Sequence, residues 1–216
     1  IVQRLGQVLG EVRDWDVFLN ETLPAHLDLQ EASGFRQAAE NKRAEARKVM
    51  CQSITDPALT TAILSLAASA AKSSDIFGRK ISSALLADHA PELLDQMASK
   101  VQHRGAHIAH HSDRKLHEIR KALKGLRYSV DSIAFLYTGR RLEAYVEHCK
   151  DLQDVFGRFN DASTAKRLAG QIVEDVPDLL RESHTLVHTA NREKKKILKK
   201  LPKKWKTFSK SVPFWC

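Results

Sequence analysis

Leu116-His117-Glu118-Ile119-Arg120-Lys121-Ala122-Leu123-Lys124-Gly125-Leu126-Arg127-Tyr128 is the stretch whose reading decides the fold. Apolar residues fall at Leu116, Ile119, Leu123, Leu126, Val130, Ile133 and Tyr137, alternating in steps of three and four, which is the spacing of an amphipathic helix packed in a bundle. At about 100° per residue, His117, Arg120, Lys121, Lys124, Arg127 and Tyr128 gather on a second stripe centred roughly 130° from that seam. Only Asp131 interrupts this row, whereas a solubilising face normally mixes its signs. The helix therefore carries an apolar face for a core and a cationic face for an anion.

Working outward, the composition is rich in Ala, Leu, Glu, Lys and Arg and has no alternating Val, Ile and Tyr runs, so an all-helical fold is expected. The 216 residues suffice for one large or two small domains with a real core. The net charge of +9 is unevenly placed: Arg192 to Lys210 holds ten Lys or Arg against Glu193 alone, which accounts for the whole excess. Such an excess favours a polyanionic partner: nucleic acid, an anionic membrane surface or a phosphate polymer. Cys51, Cys149 and Cys216 are widely spaced and odd in number, so neither a disulfide framework nor a paired metal site is expected, and a reducing compartment, the cytoplasm, fits. The most apolar run, Ala58 to Ala71, is too short and too rich in hydroxyl residues for a membrane span.

The remaining elements follow from apolar spacing and stop signals. A first helix is expected over Ile1 to Leu19, with Val2, Leu5, Leu9, Val12 and Val17 near one face and Pro24 at or soon after its end. Asp14 and Asp16 within it are two apart and do not share a face, so ion pairing is the expected role rather than a metal or acid site. Gly34 to Ser53 is a second helix, with Arg36, Arg43 and Arg47 on one side. Asp56-Pro57 starts a third helix to about Lys72, and further helices are expected from about Gly78 to His89 and from Pro91 to His103.

The connector Gly105 to Ser112 is histidine-rich, but His103, His107, His110 and His111 would line up as ligands only on an unbroken helix, which Gly105 argues against. Another helix is expected from Arg140 to about Val176, ended by Pro177, and a last one from His184 to Leu201. After Pro202, the residues Trp205, Phe208, Phe214 and Trp215 are expected in a tail that folds back to close the core, its lysines from Lys199 onward mobile.

Leu5 to Asp14 lies over Leu152 to Asp161 at a shift of 147, with Leu, Val, Gly and Asp identical at corresponding places, and a similar shift brings Arg43 near Arg192 and Arg47 near Lys195 and Lys196. Two similar halves are expected, 1–111 and 112–216, each a helical bundle. The counterpart of His117 to Tyr128 would fall before Ile1, so the first half is expected to be incomplete at its start.

With these residues in view, the sequence resembles the CHAD family, the conserved histidine α-helical domain. The resemblance rests on Leu116-His117-x-x-Arg120-Lys121-x-x-Lys124-x-Leu126-Arg127-Tyr128 and on Leu152-Gln153-Asp154 with Gly157, Asn160 and Asp161. It also rests on Leu9-Gly10-x-x-Arg13-Asp14-x-Asp16-Val17 and on the closing Pro213-Phe214-Trp215. It implies an all-helical fold of two four-helix bundles related by a pseudo-twofold axis, with a basic groove between them that binds inorganic polyphosphate and is not an established catalyst. The groove residues expected are His117, Arg120, Lys121, Lys124 and Arg127, joined by Arg43 and Arg47 and by Arg192 and Lys196. No cofactor or metal is expected.

Two other classes compete. A nucleic-acid-binding protein could use the Arg192 to Lys210 cluster, although no reading motif accompanies it. An enzyme acting on phosphoanhydrides would need a phosphate-cradling glycine loop or a convergent acidic group for a metal, and the sequence shows neither.

Overall fold

The computed structural model describes residues 2–28, 30, 32–72 and 86–215, and every regular element among them is helical. In chain order these are α1 (Val2–Val17), a π-turn (Phe18–Thr22), α2 (Leu23–His26), α3 (Ser33–Ile54), α4 (Pro57–Ala71), α5 (Leu86–Gly105), α6 (Asp113–Ile133), α7 (Arg140–Asp175) and α8 (Leu180–Ser209). Short 3₁₀ turns precede α6, follow it and precede α8. The all-helical expectation holds. The helix expected from Gly78 lies outside the described residues as far as residue 85.

The chain forms two compact units: Ile1–Ser83 with Asp161–Glu193, and Ala84–Asn160 with Lys194–Cys216. The halves 1–111 and 112–216 divide the sequence by its repeat, whereas these units divide the chain by contact and cut it within α7 and α8.

The first unit has its core where α1 and the π-turn meet α3, α7 and α8. Trp15, Phe18, Leu19 and Leu23 pack with Phe35 and Ala39 of α3, Leu168 and Ile172 of α7, and Leu186 of α8. The Trp15 and Phe18 rings meet edge-on at 5.6 Å, the geometry that the aromatic quadrupole favours. The apolar face expected for α1 is corrected here. Val12 is buried, but Leu9 is 43 % exposed, and the inward positions continue through Trp15, Phe18 and Leu19 instead of Val17. The chain does not stop at Leu19 either, since the π-turn carries the helical path on to Leu23, with Pro24 in the first turn of α2 where a missing N–H costs little.

In α4 the start signal reads as expected. Asp56 is the N-cap, its carboxylate accepting from Ala58 N at 2.9 Å, and Pro57 follows it. Only Leu59 of α4 is buried, and Ile63, Leu64 and Leu66 are exposed. Among the described residues no single helix is long and apolar enough to cross a membrane.

The second unit is organised by α6. Its seam residues Leu116, Ile119, Leu123, Leu126, Val130 and Ile133 are all buried. They pack with Leu94 and Val101 of α5, Leu152 and Phe156 of α7, and Ile197 and Leu201 of α8. Tyr137 falls beyond the end of the helix yet still packs against this core. The aromatic residues at the chain end close the unit as expected: Tyr145, Phe214 and Trp215 meet edge-on at 4.8 to 5.7 Å, and the Trp215 indole N–H donates to Asp95 at 2.8 Å.

Two prolines expected to break helices do not. Pro91 lies inside α5 and Pro202 inside α8, which runs on to Ser209 because Leu201 and Phe208 continue its buried side past the proline. The lysines from Lys199 to Lys206 are therefore held on a packed helix and not on a mobile tail. Tertiary burial outweighs the loss of one backbone hydrogen bond.

Gly105, at the end of α5, lies directly against Trp205 of α8. A Cβ there would lie 2.0 Å from the Trp205 ring of α8. Helix propensity alone would make Gly105→Ala stabilising by up to about 1 kcal/mol. The expected result is the opposite, a loss of about 1–3 kcal/mol from overpacking, read as a lower urea midpoint. Trp205→Ala in the same chain should remove most of that added cost.

Candidate functional site

The cationic face of α6 is positioned from the helix start. Ser112 is the N-cap, its hydroxyl accepting from Lys115 N, and Asp113 in the first turn complements the helix dipole. With the seam committed to the core, the stripe turns outward: Lys121 and Tyr128 are exposed, and His117, Arg120, Lys124 and Arg127 are half-buried. Half-burial restricts the freedom of these side chains.

The charges on this face are not all equally available. Arg127 is 20 % exposed, donates to Asp131 at 3.0 Å and reaches Gln153 of α7 at 3.3 Å. Lys121 pairs with Glu118 at 3.3 Å, and Arg104 of α5 donates to the Glu118 carbonyl at 3.1 Å. The hydrogen bond and charge of Lys121, with Arg104 and His117 nearby, hold the Glu118 carboxyl below its ordinary value. Lys124 lies 5.7 Å over the Tyr128 ring. Arg120 has no ion-pair partner among the described residues. The sequence pattern recognised Asp131 as an interruption but not Glu118, whose i+3 relation to Lys121 was its readable signal.

Each unit holds part of the expected set. His117, Arg120, Lys121, Lys124, Arg127 and Lys196 belong to the second unit, and Arg43, Arg47 and Arg192 to the first. Arg43 and Arg47 of α3 both turn toward Asp16 of α1, at 3.7 and 2.9 Å. Arg192 and Lys196 are exposed on α8.

Asp14 and Asp16 have the structural role expected of them, on opposite sides of α1. Asp16 takes the α3 arginines, while Asp14, with Glu11, takes Arg167 of α7 at 2.7 Å. The histidine connector is likewise not one surface. His103 is in α5, His107 adopts a left-handed conformation at φ 60°, and the His111 ring Nε2 is 2.9 Å from the Arg104 carbonyl oxygen. No group of three or more His, Cys, Asp or Glu able to hold a metal occurs among the described residues. The buried Cys149 thiol, behind Arg127, is pushed up to about 12 by desolvation and stays protonated at neutral pH.

Taken together, the second unit defines a class: an all-helical scaffold with half-buried cations on a helix whose other face is core. The chain belongs to the CHAD domain family, whose family model matches residues 2–170. It is also similar in structure to the crystal structure of the CHAD domain from the plant Ricinus communis. The TM-score is 0.86 at 21 % identity, over 99 % of this chain and 71 % of that one, a likeness of fold. A comparison with curated proteins finds no match.

Burial raises the Asp14 carboxyl above its ordinary value of 3.8, with Arg167 pulling the other way. A carboxyl raised on folding contributes stability that is full below its unfolded value and lost as pH rises through the folded one. Relative to Asp14→Asn, the native chain should therefore lose stability from pH 3.5 to pH 6, measured as the change in urea midpoint.

Proposed function

We propose that the chain is a binding module for inorganic polyphosphate rather than a catalyst, with Arg120, Lys124 and Arg127 as its central contacts and His117 and Lys121 beside them. The supporting observation is the α6 stripe, held by a seam buried along its whole length, which gives cations of fixed position that lose little freedom on binding. A phosphate polymer presents closely spaced charges and no bases, so rows of Lys and Arg on rigid helices suffice. Its site is a basic groove between two bundles related by a pseudo-twofold, to which Arg43, Arg47, Arg192 and Lys196 also contribute. This finer arrangement rests on the family resemblance and the 147-residue sequence shift. The cytoplasm as its compartment rests on the cysteine usage, with Cys51 and Cys149 both free. Nucleic acid held by the basic C-terminal segment is the second reading, favoured by the exposed lysines of α8.

Affinity for a linear polyanion comes largely from counterion release and falls linearly in log–log form with salt. An Arg120→Gln, Lys124→Gln variant should bind polyphosphate more weakly and show a salt slope shallower by about one to two. Unchanged affinity and slope would remove α6 from the site. Asp131→Asn, which releases Arg127 from its ion pair, should instead tighten binding severalfold, as measured by titration calorimetry.

A further inference from the structure

Two sets of lysines on α8 differ in their surroundings. Lys194 and Lys204 lie beside the helix's buried side and are ion-paired, Lys194 to Asp113 of α6 and Lys204 to Asp151 of α7. Lys194 also sits 4.7 Å over the Phe159 ring. By contrast, Lys195, Lys199, Lys203 and Lys206 recur in steps of four, four and three, with Lys210 one turn further on. They are all exposed, and none has a side-chain partner among the described residues. At about 100° per residue they fall on one stripe close to 180° from Ile197, Leu201 and Phe208, which are buried in the core. Lys195 to Lys210 spans about 22 Å, one cation or more per turn.

Like charges at i, i+4 destabilise a helix, and no acid interrupts this row to relieve them. A solubilising face would mix its signs. The row also lacks the groups that other partners require. A membrane-surface helix needs an apolar side free to insert, and that side of α8 is inside the protein. Sequence-specific base reading needs Arg, Asn or Gln forks or exposed rings, while Trp205 is turned to the core and the row contains only lysine, so any nucleic acid held here would be held by its phosphates alone. Lysine is a point charge that accepts any oxygen of a flexible chain without a fixed geometry.

We infer that this outward stripe of α8, which runs on along the helix from Arg192, is a polyphosphate track in addition to the α6 stripe and able to hold a linear run of phosphates. The inference rests on the polyphosphate reading above. Long polymers engage both tracks of the second unit, so neutralising one stripe leaves residual binding by the other.

The test uses the full chain and long-chain polyphosphate, with affinity measured against salt for a Lys195→Gln, Lys199→Gln, Lys203→Gln, Lys206→Gln variant. The expected outcome is an affinity at least tenfold lower and a salt slope shallower by about three, given about 0.7 per phosphate contact for a single-stranded polyanion. The matching Lys→Arg variant retains the charges and should restore both, which separates lost contacts from lost folding. Unchanged affinity and slope in the Gln variant, while Arg120→Gln, Lys124→Gln still weakens binding, overturns the second track and leaves the polyphosphate reading standing. Failure of the native chain to bind polyphosphate at all overturns both. Selective loss of duplex DNA binding in the Gln variant, with polyphosphate binding retained, overturns the track in favour of a nucleic-acid site.

Discussion

Six apolar side chains of α6 determine what the second unit can do. Leu116, Ile119, Leu123, Leu126, Val130 and Ile133 are each 5 % exposed or less, and α5, α7 and α8 all contribute to the core around them. Fully burying each such side chain contributes about 1.5–3 kcal/mol, so the rotation of α6 about its axis is strongly fixed. Once that rotation is fixed, the stripe carrying His117, Arg120, Lys124 and Arg127 has one place to be. The cationic face is a consequence of the core.

Acidic residues then decide which cations remain available. Asp16 engages Arg43 and Arg47, Glu118 engages Lys121, Asp131 engages Arg127, and Asp175 engages Lys42. These exposed or half-exposed pairs each contribute at most about 1 kcal/mol to stability, and their larger effect is orientation.

The two long helices α7 and α8 serve both cores. The α7 residues Leu152 and Phe156 pack in one unit and Leu168 and Ile172 in the other, while α8 contributes Leu186 to the first and Leu201 to the second. A helix tied into a core at both ends tolerates an interior proline, as α8 does at Pro202, because the residues beyond the proline are held by side-chain burial and not by the backbone ladder alone. That is why Lys203 and Lys206 are structured.

Much of the molecule is written locally. The three-and-four spacing of α6 identified its buried residues through Ile133, the Asp56-Pro57 pair placed the start of α4, and Pro177 ended α7, since each depends on a few neighbouring residues. Other features depend on contacts across the chain and are not legible in one stretch. The inward turn of Trp15 and Phe18, where Leu5, Leu9 and Val17 were expected, needed the π-turn and the α3 surface that receives them. The continuation of α8 past Pro202 needed Phe208 and Leu201 to find the α6 core, since local preference alone ends a helix there. Pairing of Arg43 and Arg47 with Asp16, some thirty positions away in sequence, was likewise a tertiary decision. Sequence determined which faces are apolar and which are cationic. Tertiary structure alone decided that Asp16 holds the α3 arginines and that the lysines past Pro202 stand on a rigid helix, because both depend on residues distant in the chain.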